Sequence, residues 1–270
     1  MNFETLLVTV ESGVATVTLN RPKVLNALNA LMLRELDEAF TALSVDRAVR
    51  VVLLRGAGGK AFAAGADISE LAEATASVGQ QLAETAQRIF RRIETLGKPV
   101  LALIDGFALG GGCELAMACT LRIAASTARL GQPEIRLGLI PGWGGTQRLP
   151  RLAGPGAALK LLLTGAVIDA AEALRIGLVD EIVEIVDAAA TDSTPDPLGA
   201  RAAELARTLA AMPPLAVAAI LQAVNQGADL QLDQALALEA SIFGRLCATE
   251  DMREGTRAFL EKRAATFTGR

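Results

Sequence analysis

The stretch GFALGGGCELAMACT, residues 106–120, joins an apolar segment to a cluster of glycines and a single carboxylate. The preceding residues VLALID (100–105) are typical of a strand that is buried on both faces. Glycine occupies four of the first seven positions of the stretch, and Glu114 follows before a second apolar run. The pattern predicts a buried strand ending at Gly106, a glycine turn, and a helix that begins near Gly111 or Gly112.

The residues alone leave two interpretations of the glycine cluster open. The first N–H groups of a helix have no intrahelical partner, and glycine leaves them accessible to an approaching carbonyl oxygen. Donors of this kind would stabilise an oxyanion that develops during a reaction. The other interpretation is a tight strand-to-helix turn, in which Glu114 only interacts favourably with the helix N-terminus.

Nucleotide-binding loops do not explain the glycines, because the spacings differ from the known patterns. A phosphate loop requires GxxxxGK[ST], and GAGGKA places Ala61 where a hydroxyl side chain is needed. A dinucleotide fingerprint requires GxGxxG, but GGGCEL ends on Leu115 and GWGGTQ ends on Gln147.

The composition restricts the chemistry. The 270 residues include no histidine, which excludes Ser-His-Asp and Cys-His catalysis and histidine-based zinc sites, so acid–base chemistry is left to carboxylates, Lys or Cys. The three cysteines form no CxxC pair and predict no disulfide framework. A net charge of −4 gives no overall attraction for nucleic acid. Without a long uncharged apolar run or a basic amino-terminal segment, we expect a cytoplasmic protein with no membrane partner.

Predicted strands and helices alternate along the first two thirds of the chain, which indicates a largely parallel α/β core. A strand pair surrounds Glu11-Ser12-Gly13, and either Asn26 or Asn29 could cap the first helix. The other predicted strands are 49–56, 100–106, 119–126 and 178–186; the predicted helices are 26–43, 80–96, 155–163 and 170–177; residues 130–149 are predicted to form a long loop. The polar segment 187–199 is predicted to be a linker, and the chain beyond it to be helical as far as Thr266. We therefore divide the chain into a core, 1–190, and a helical C-terminal region, 191–270.

Five motifs in this order resemble the crotonase superfamily, and enoyl-CoA hydratases in particular. They cover nearly the whole chain: LNRPKVLNAL (19–28), KAFAAGADI (60–68), GFALGGGCELAMAC (106–119), GQPEIRLGLIPGWGGTQRL (131–149) and REGTRAFLEKR (253–263). The resemblance implies a core formed by a spiral of ββα turns, and a helical C-terminal region that mediates homotrimers, often paired as homohexamers. It also implies reversible syn addition of water to the C2=C3 bond of a 2-enoyl-CoA thioester, giving a 3-hydroxyacyl-CoA.

The resemblance assigns four residues to catalysis. The backbone N–H groups of Ala66 and Gly111 would hold the thioester oxygen and stabilise the enolate. Glu114 would hold and activate water, and Glu134 would deliver a proton to C2. Two carboxylates in one dry pocket repel each other, so at least one pKa should rise towards neutrality.

The resemblance also predicts how the substrate is held. Lys23 and Lys262 should lie near the nucleotide end of coenzyme A, the second lysine from a neighbouring subunit. The loop at 64–68 should line the coenzyme A path, and Trp143 either flanks the acyl chain or packs in the core. The predicted substrate-binding residues are Lys23, Ala64, Ala66, Asp67, Ile68, Gly111 and Lys262. Coenzyme A is part of the substrate, so no separate cofactor and no metal are expected.

Two other functions remain possible from the sequence. A Δ3,Δ2-enoyl-CoA isomerase would use the same oxyanion site, but such isomerases commonly lack the carboxylate that Glu114 provides here. A non-catalytic RNA-binding relative is less favoured, because the chain has no tyrosine and only 3% aromatic residues for stacking on bases. Residues 69–87 match the family poorly, so the preferred acyl length is left open.

Overall fold

The computed structural model describes residues 2–72, 74–185 and 196–270. Its strands are β1 Leu6–Glu11, β2 Val14–Leu19, β3 Val51–Gly56, β4 Ala61–Ala63, β5 Val100–Ile104, β6 Phe107–Leu109, β7 Leu121–Ala125, β8 Arg129–Gly131, β9 Val167–Asp169 and β10 Glu181–Val183. Its α-helices are α1 Ala30–Val45, α2 Ile68–Leu71, α3 Ala76–Glu94, α4 Gly111–Met117, α5 Gly145–Thr164, α6 Ala170–Arg175, α7 Pro197–Ala210, α8 Pro214–Gly227, α9 Leu232–Leu246 and α10 Glu250–Glu261. Short 3-10 turns occupy Pro22–Val24 and Pro133–Leu137.

The large sheet has the strand order β1-β2-β3-β5-β7-β10. Strand β1 pairs antiparallel with β2, and every other pair in this sheet is parallel. All five residues of β5 are buried, as are Val51 to Leu54 of β3. Burial on both faces explains why these strands are continuous apolar runs. The predicted hairpin and the predicted parallel α/β core are both present.

A second sheet, with the order β4-β6-β8-β9, lies beyond the carboxyl ends of β3 and β5. The sequence did not predict this sheet, because each of its strands has three residues. Three residues are too few for either alternation or a long apolar run to be recognised. The chain leaves β5, passes through β6, and only then enters α4, so the strand-to-helix turn predicted at residue 106 contains an extra strand.

Several predicted boundaries were wrong. The predicted loop 130–149 contains part of β8, the 3-10 turn at Pro133–Leu137 and the start of α5. Helix α3 begins at Ala76, because the Thr75 side chain caps it, rather than at residue 80. Asn29 is the cap of α1, whereas buried Asn26 donates hydrogen bonds to the Ala57 and Ala61 carbonyls. The last helix ends at Glu261 and not at Thr266.

Helix α7 packs on the large sheet through Leu198, Ala202 and Ala206, which join the buried cluster formed by one face of β3, β5 and β7. Most of the predicted linker, and the domain boundary at 190, lie outside the described residues. Residues 197–199 of that linker are helical. No single described helix has the length and apolar composition of a membrane span; α7 and α8 together have them, but they are bent by 105° at the break between them.

Candidate active site

A cavity of about 260 Å³ opens where β4, α4, α3 and the 3-10 turn at Pro133–Leu137 meet. Most of its wall is apolar or glycine, and Glu114 and Glu134 are the charged residues among those that line it. A mostly apolar cavity with a few convergent polar groups is the usual form of a small-molecule site. The site therefore joins the two carboxylates that the sequence places 20 residues apart.

Glu114 lies in the first turn of α4, and only 2% of the residue is exposed. Its Oε1 accepts hydrogen bonds from the backbone N–H groups of Trp143, at 2.8 Å, and Gly145, at 2.7 Å. Burial raises the pKa of Glu114 to about 7, although these two bonds oppose the rise, and the charge of Glu134 raises it further. One oxygen of the carboxylate is thus fixed, while the group can exchange a proton near neutral pH.

Glu134 stands in the first turn of the 3-10 helix that follows Pro133. Burial also raises the pKa of Glu134 to about 7. The side-chain amide of buried Gln132 turns its nitrogen towards Glu134, which satisfies the hydrogen-bonding groups of both residues. In this orientation the nitrogen donates to the two Glu134 oxygens at 3.0 and 3.2 Å. The raised pKa values come mainly from burial rather than from repulsion within the pair, which the sequence-based argument had emphasised.

Two backbone N–H groups border the same cavity. The Leu28 N–H donates to the Gly65 carbonyl at 2.8 Å, and the Asp67 N–H donates to the Leu28 carbonyl at 2.9 Å. In this parallel bridge the N–H of Ala66 points away from Leu28. Gly111 is the first residue of α4, and its N–H has no intrahelical acceptor. Within the described parts of the chain, neither of these N–H groups donates to another protein group.

Comparison with known proteins identifies the family to which the chain with this cavity belongs. The profile described as Enoyl-CoA hydratase/isomerase matches residues 9–270. The chain belongs to the enoyl-CoA hydratase/isomerase family.

Similar proteins in this family cover the whole chain. The crotonyl-CoA hydratase of Syntrophomonas wolfei is 45% identical over 267 residues, which is 99% of each chain. The short-chain-enoyl-CoA hydratase of Clostridium acetobutylicum is 47% identical over 263 residues, or 97% of each. The crystal structure of an enoyl-CoA hydratase from Bacillus anthracis superposes with a TM-score of 0.92 at 38% identity, covering 99% of this chain and 100% of the other. The predicted crotonase-like fold, with a helical C-terminal region, is confirmed.

In this family member, some of the predicted substrate-binding residues reach the cavity and others do not. Ala64, Ala66, Ile68 and Gly111 line it together with the two glutamates. Lys23, in the 3-10 turn at Pro22–Val24, and Lys262, at the end of α10, are both exposed and lie outside the lining. Their roles at the nucleotide end of coenzyme A stay predictions.

Asp67 also lies outside the lining, and its side chain has a local structural role. The Asp67 carboxylate accepts a hydrogen bond from the Ser69 N–H as the N-cap of α2 and pairs with Arg21 at 3.1 Å. The Ser69 hydroxyl bond is the largest of the interactions that lower the pKa of Asp67. The Asp67 side chain therefore holds the shape of the 64–68 loop, and its predicted place along the coenzyme A path stays a prediction.

Trp143 packs in the core, as one of the alternatives from the sequence has it, and its contact with an acyl chain stays a prediction. It lines the cavity, and its ring packs edge-on against Phe90 with centroids 5.9 Å apart. A side chain at Gly111 would collide with this ring, so the glycine is required for α4 to approach it. The backbone N–H of Trp143 also holds the Glu114 carboxylate in place, a role that no side-chain pattern could reveal.

Sequence reasoning missed much of the cavity wall. Leu82 and Ala83 come from the segment that matches the family poorly, and Leu139 and Ile140 come from the predicted loop. Gln132 belongs to a motif quoted above and precedes Glu134 by two residues. This spacing was the signal in the sequence that Gln132 could contact Glu134. Among the described residues, no group of three or more acidic or cysteine side chains is placed to hold a metal ion.

Proposed function

We propose that this chain is an enoyl-CoA hydratase, which adds water to the C2=C3 bond of a 2-enoyl-CoA thioester and releases a 3-hydroxyacyl-CoA. The observation that carries the proposal is one apolar cavity, called here the acyl cavity, with two carboxylates, both with a pKa near 7, beside two backbone N–H groups that have no acceptor among the described residues. The names of the similar proteins support the same reaction.

The backbone donors act on the thioester. The N–H groups of Ala66 and Gly111 hydrogen-bond to the thioester carbonyl oxygen, which becomes an enolate oxygen as water attacks C3. A fixed donor stabilises charge that develops in the transition state more than it stabilises the neutral ground state, and it contributes about 10²–10³-fold in rate. Because the donors are backbone groups, small residues at these positions leave room for the substrate.

The two carboxylates handle the protons. Ionised Glu114 takes a proton from water as the water oxygen bonds to C3, and protonated Glu134 gives a proton to C2 on the same face. The two elements of water are thereby added syn, Glu114 ends protonated and Glu134 ends ionised, and one proton transfer restores the starting pair. A pKa of about 7 for each group makes both protonation states accessible at neutral pH.

We extend the proposal to the surroundings of the reaction. The acyl-CoA is the small-molecule partner, and the reaction uses no separate cofactor or metal. The enzyme works in the cytoplasm as a homotrimer or homohexamer. It binds neither nucleic acid nor membrane. Exposed apolar side chains on the C-terminal helices support the assembly: Ile220, Val224, Phe243, Phe259 and Leu260. The division into a catalytic core, 1–190, and an oligomerisation region, 191–270, belongs to the same proposal.

The test follows the loss of the conjugated enoyl absorbance of crotonyl-CoA. We expect Glu114→Gln and Glu134→Gln to lower kcat by about 10²–10⁴-fold each, since each removes one proton-transfer group. Glu38→Gln is the matched control, because Glu38 is exposed on α1 and lies outside the cavity. Wild-type rates in both cavity variants would contradict the assignment.

Isomerisation of a 3-enoyl-CoA distinguishes the alternative. A proton shuttle between C4 and C2 needs the oxyanion site and one acid–base group, so Glu114→Gln would largely spare it. The presence of both carboxylates in the cavity, Glu114 buried and Glu134 half-buried, favours hydration. A wild-type enzyme that binds coenzyme A, leaves crotonyl-CoA unchanged and converts 3-enoyl-CoA would establish the isomerase instead.

A further inference from the structure

A second cavity, of about 620 Å³, lies at the opposite end of the large sheet. Val49 and Arg50 line it just before β3, and Gly97 and Lys98 line it just before β5. These two strands are parallel, and the acyl cavity is reached beyond their carboxyl ends. The second cavity, called here the basic cavity, shares no lining residue with the acyl cavity.

One half of the basic cavity is positively charged. Arg47, Arg50, Lys98 and Arg270 line it, and no Asp or Glu side chain is among its described lining residues. Within the described parts of the chain, the three guanidinium groups form neither a side-chain hydrogen bond nor an ion pair, unlike most other arginines, which pair with a carboxylate.

Two of the cationic groups, Lys98 and Arg50, are close enough to affect each other. The Lys98 ammonium donates to the Leu43 and Asp46 carbonyls, which hold it in place. Burial lowers the pKa of Lys98, the charge of Arg50 lowers it further, and Asp46 opposes the change. Lys98 and Arg50 therefore repel each other in a partly buried space, Arg47 and Arg270 add exposed positive charges beside them, and a bound anion would relieve this repulsion.

The other half of the basic cavity is apolar. Val45, Met212, Leu215 and Val217 form this wall, and the first three are exposed to solvent in the chain as described. The volume lies within the range of small-molecule sites. A ligand that satisfies both halves carries an anionic group on a short aliphatic body.

We propose that the basic cavity binds a soluble phosphomonoester with a short aliphatic chain. A phosphomonoester carries close to two negative charges and three acceptor oxygens, which balances several cations better than a carboxylate does. Guanidinium forks match phosphate oxygens in pairs, and the lysine adds a point charge. The aliphatic body lies against the wall formed by Val45, Met212 and Leu215.

The probe is hexyl phosphate, titrated calorimetrically into the full-length protein. We expect saturable binding at one site, a dissociation constant that rises with salt, and no binding of hexyltrimethylammonium, which has the same tail and the opposite charge. Arg47→Met and Arg50→Met should each weaken binding about tenfold, or about 1.4 kcal/mol, because each removes a charge-assisted hydrogen bond to the phosphate. Arg34→Met is the matched control, since exposed Arg34 lies on α1 outside the cavity.

Two further readouts separate this site from the acyl cavity. Trp143, the one tryptophan of the chain, lines the acyl cavity, so its fluorescence should stay unchanged while hexyl phosphate binds. Thermal unfolding of each variant checks that the fold is retained. Wild-type affinity in Arg47→Met and Arg50→Met, or binding that shifts Trp143 fluorescence and is displaced by butyryl-CoA, would overturn the proposal. Equal affinity for inorganic phosphate would overturn its aliphatic part.

Discussion

At the scale of single residues, Glu114 shows how burial can outweigh hydrogen bonding. Two backbone N–H groups donate to its Oε1, and such bonds alone would favour the ionised form. Desolvation is larger, so the pKa of Glu114 rises to about 7. The sequence supplied the identity of the carboxylate, but its acidity depends on Trp143 and Gly145, which are about 30 residues away.

The raised pKa of Glu114 predicts a stability change with a definite sign. Between pH 4.5 and about 7 the unfolded chain ionises this group while the folded protein keeps it protonated, so stability falls as pH rises through that range. Glu114→Gln keeps an oxygen that accepts both N–H bonds and removes the titration. We expect the variant to be more stable than wild type above pH 7, by at most about 3 kcal/mol.

Urea unfolding above pH 7 and again near pH 4.5 measures this difference. The gain should be largest at the higher pH and should shrink at the lower one, where Glu114 is protonated in both states. Glu38→Gln, on the exposed face of α1, is again the control. A Glu114→Gln variant that is less stable at high pH would contradict the argument.

At the scale of elements, the turn between β6 and α4 places the proposed catalytic groups. Gly110 has φ 49° and ψ −126°, a conformation that favours glycine strongly. A Cβ atom there would lie 2.9 Å from Oε1 of Glu134. The glycine therefore serves both the backbone path into α4 and the space for Glu134.

Gly110→Ala should strain this turn and displace the Glu134 carboxylate. We expect a loss of stability of about 1–3 kcal/mol and a fall in kcat of at least tenfold, measured by denaturant unfolding and the crotonyl-CoA assay. Gly156→Ala in α5 is the control, because a Cβ there meets no atom within 4 Å and its φ is negative. If both variants behave alike, the geometric argument is wrong.

The amino-terminal part of α3 forms one wall of the acyl cavity through Gly79, Leu82 and Ala83. Positions 79 and 83 are one helical turn apart and share a face. A Cβ at Gly79 would meet no atom within 4 Å, so this wall has room for a larger side chain.

Gly79→Leu should shorten the acyl chain that the enzyme accepts. We expect the ratio of kcat/KM for a 2-octenoyl-CoA to that for crotonyl-CoA to fall at least tenfold, because a few methylene contacts are worth roughly 1–3 kcal/mol. Gly156→Leu, outside the cavity, should leave the ratio unchanged. An unaltered ratio in Gly79→Leu would show that the acyl chain takes another path.

At the scale of the whole molecule, the acyl cavity depends on segments that the sequence keeps far apart. Residues near 66, 82, 111, 134 and 140 come together because β4, β6 and β8 form a small sheet beyond the large one. Helix α7 covers a face of the large sheet, whereas α8 to α10 leave large apolar side chains exposed. An exposed apolar surface of this kind is typical of an interface.

Phe259→Glu tests whether these helices hold subunits together. Phe259 is 83% exposed, and a charge in a desolvated interface is strongly unfavourable. We expect sedimentation to give a smaller particle than the trimer or hexamer that we propose for the wild type. Leu163→Glu is the control, because Leu163 is 68% exposed on α5 and lies outside both cavities. A monomeric wild-type protein, or an unchanged particle, would refute the proposed assembly.

Local patterns in the sequence were sufficient to predict the strands of the large sheet and several of the helices. Apolar runs such as 100–104 and the cap at Asn29 are signals carried by neighbouring residues. Motif resemblance added the candidate residues Ala66, Gly111, Glu114 and Glu134, all of which line one cavity. Three-residue strands, and helix starts inside glycine-rich segments, carry no comparable local signal.

The sequence by itself therefore determined the α/β class, the family, and the absence of histidine chemistry. Only the tertiary structure decided which carboxylates are buried, which oxygen of Glu114 is anchored, and which apolar side chains form the acyl wall. The physical reason is that desolvation and cavity shape depend on atoms distant in the chain, whereas strand and helix patterns depend on near neighbours.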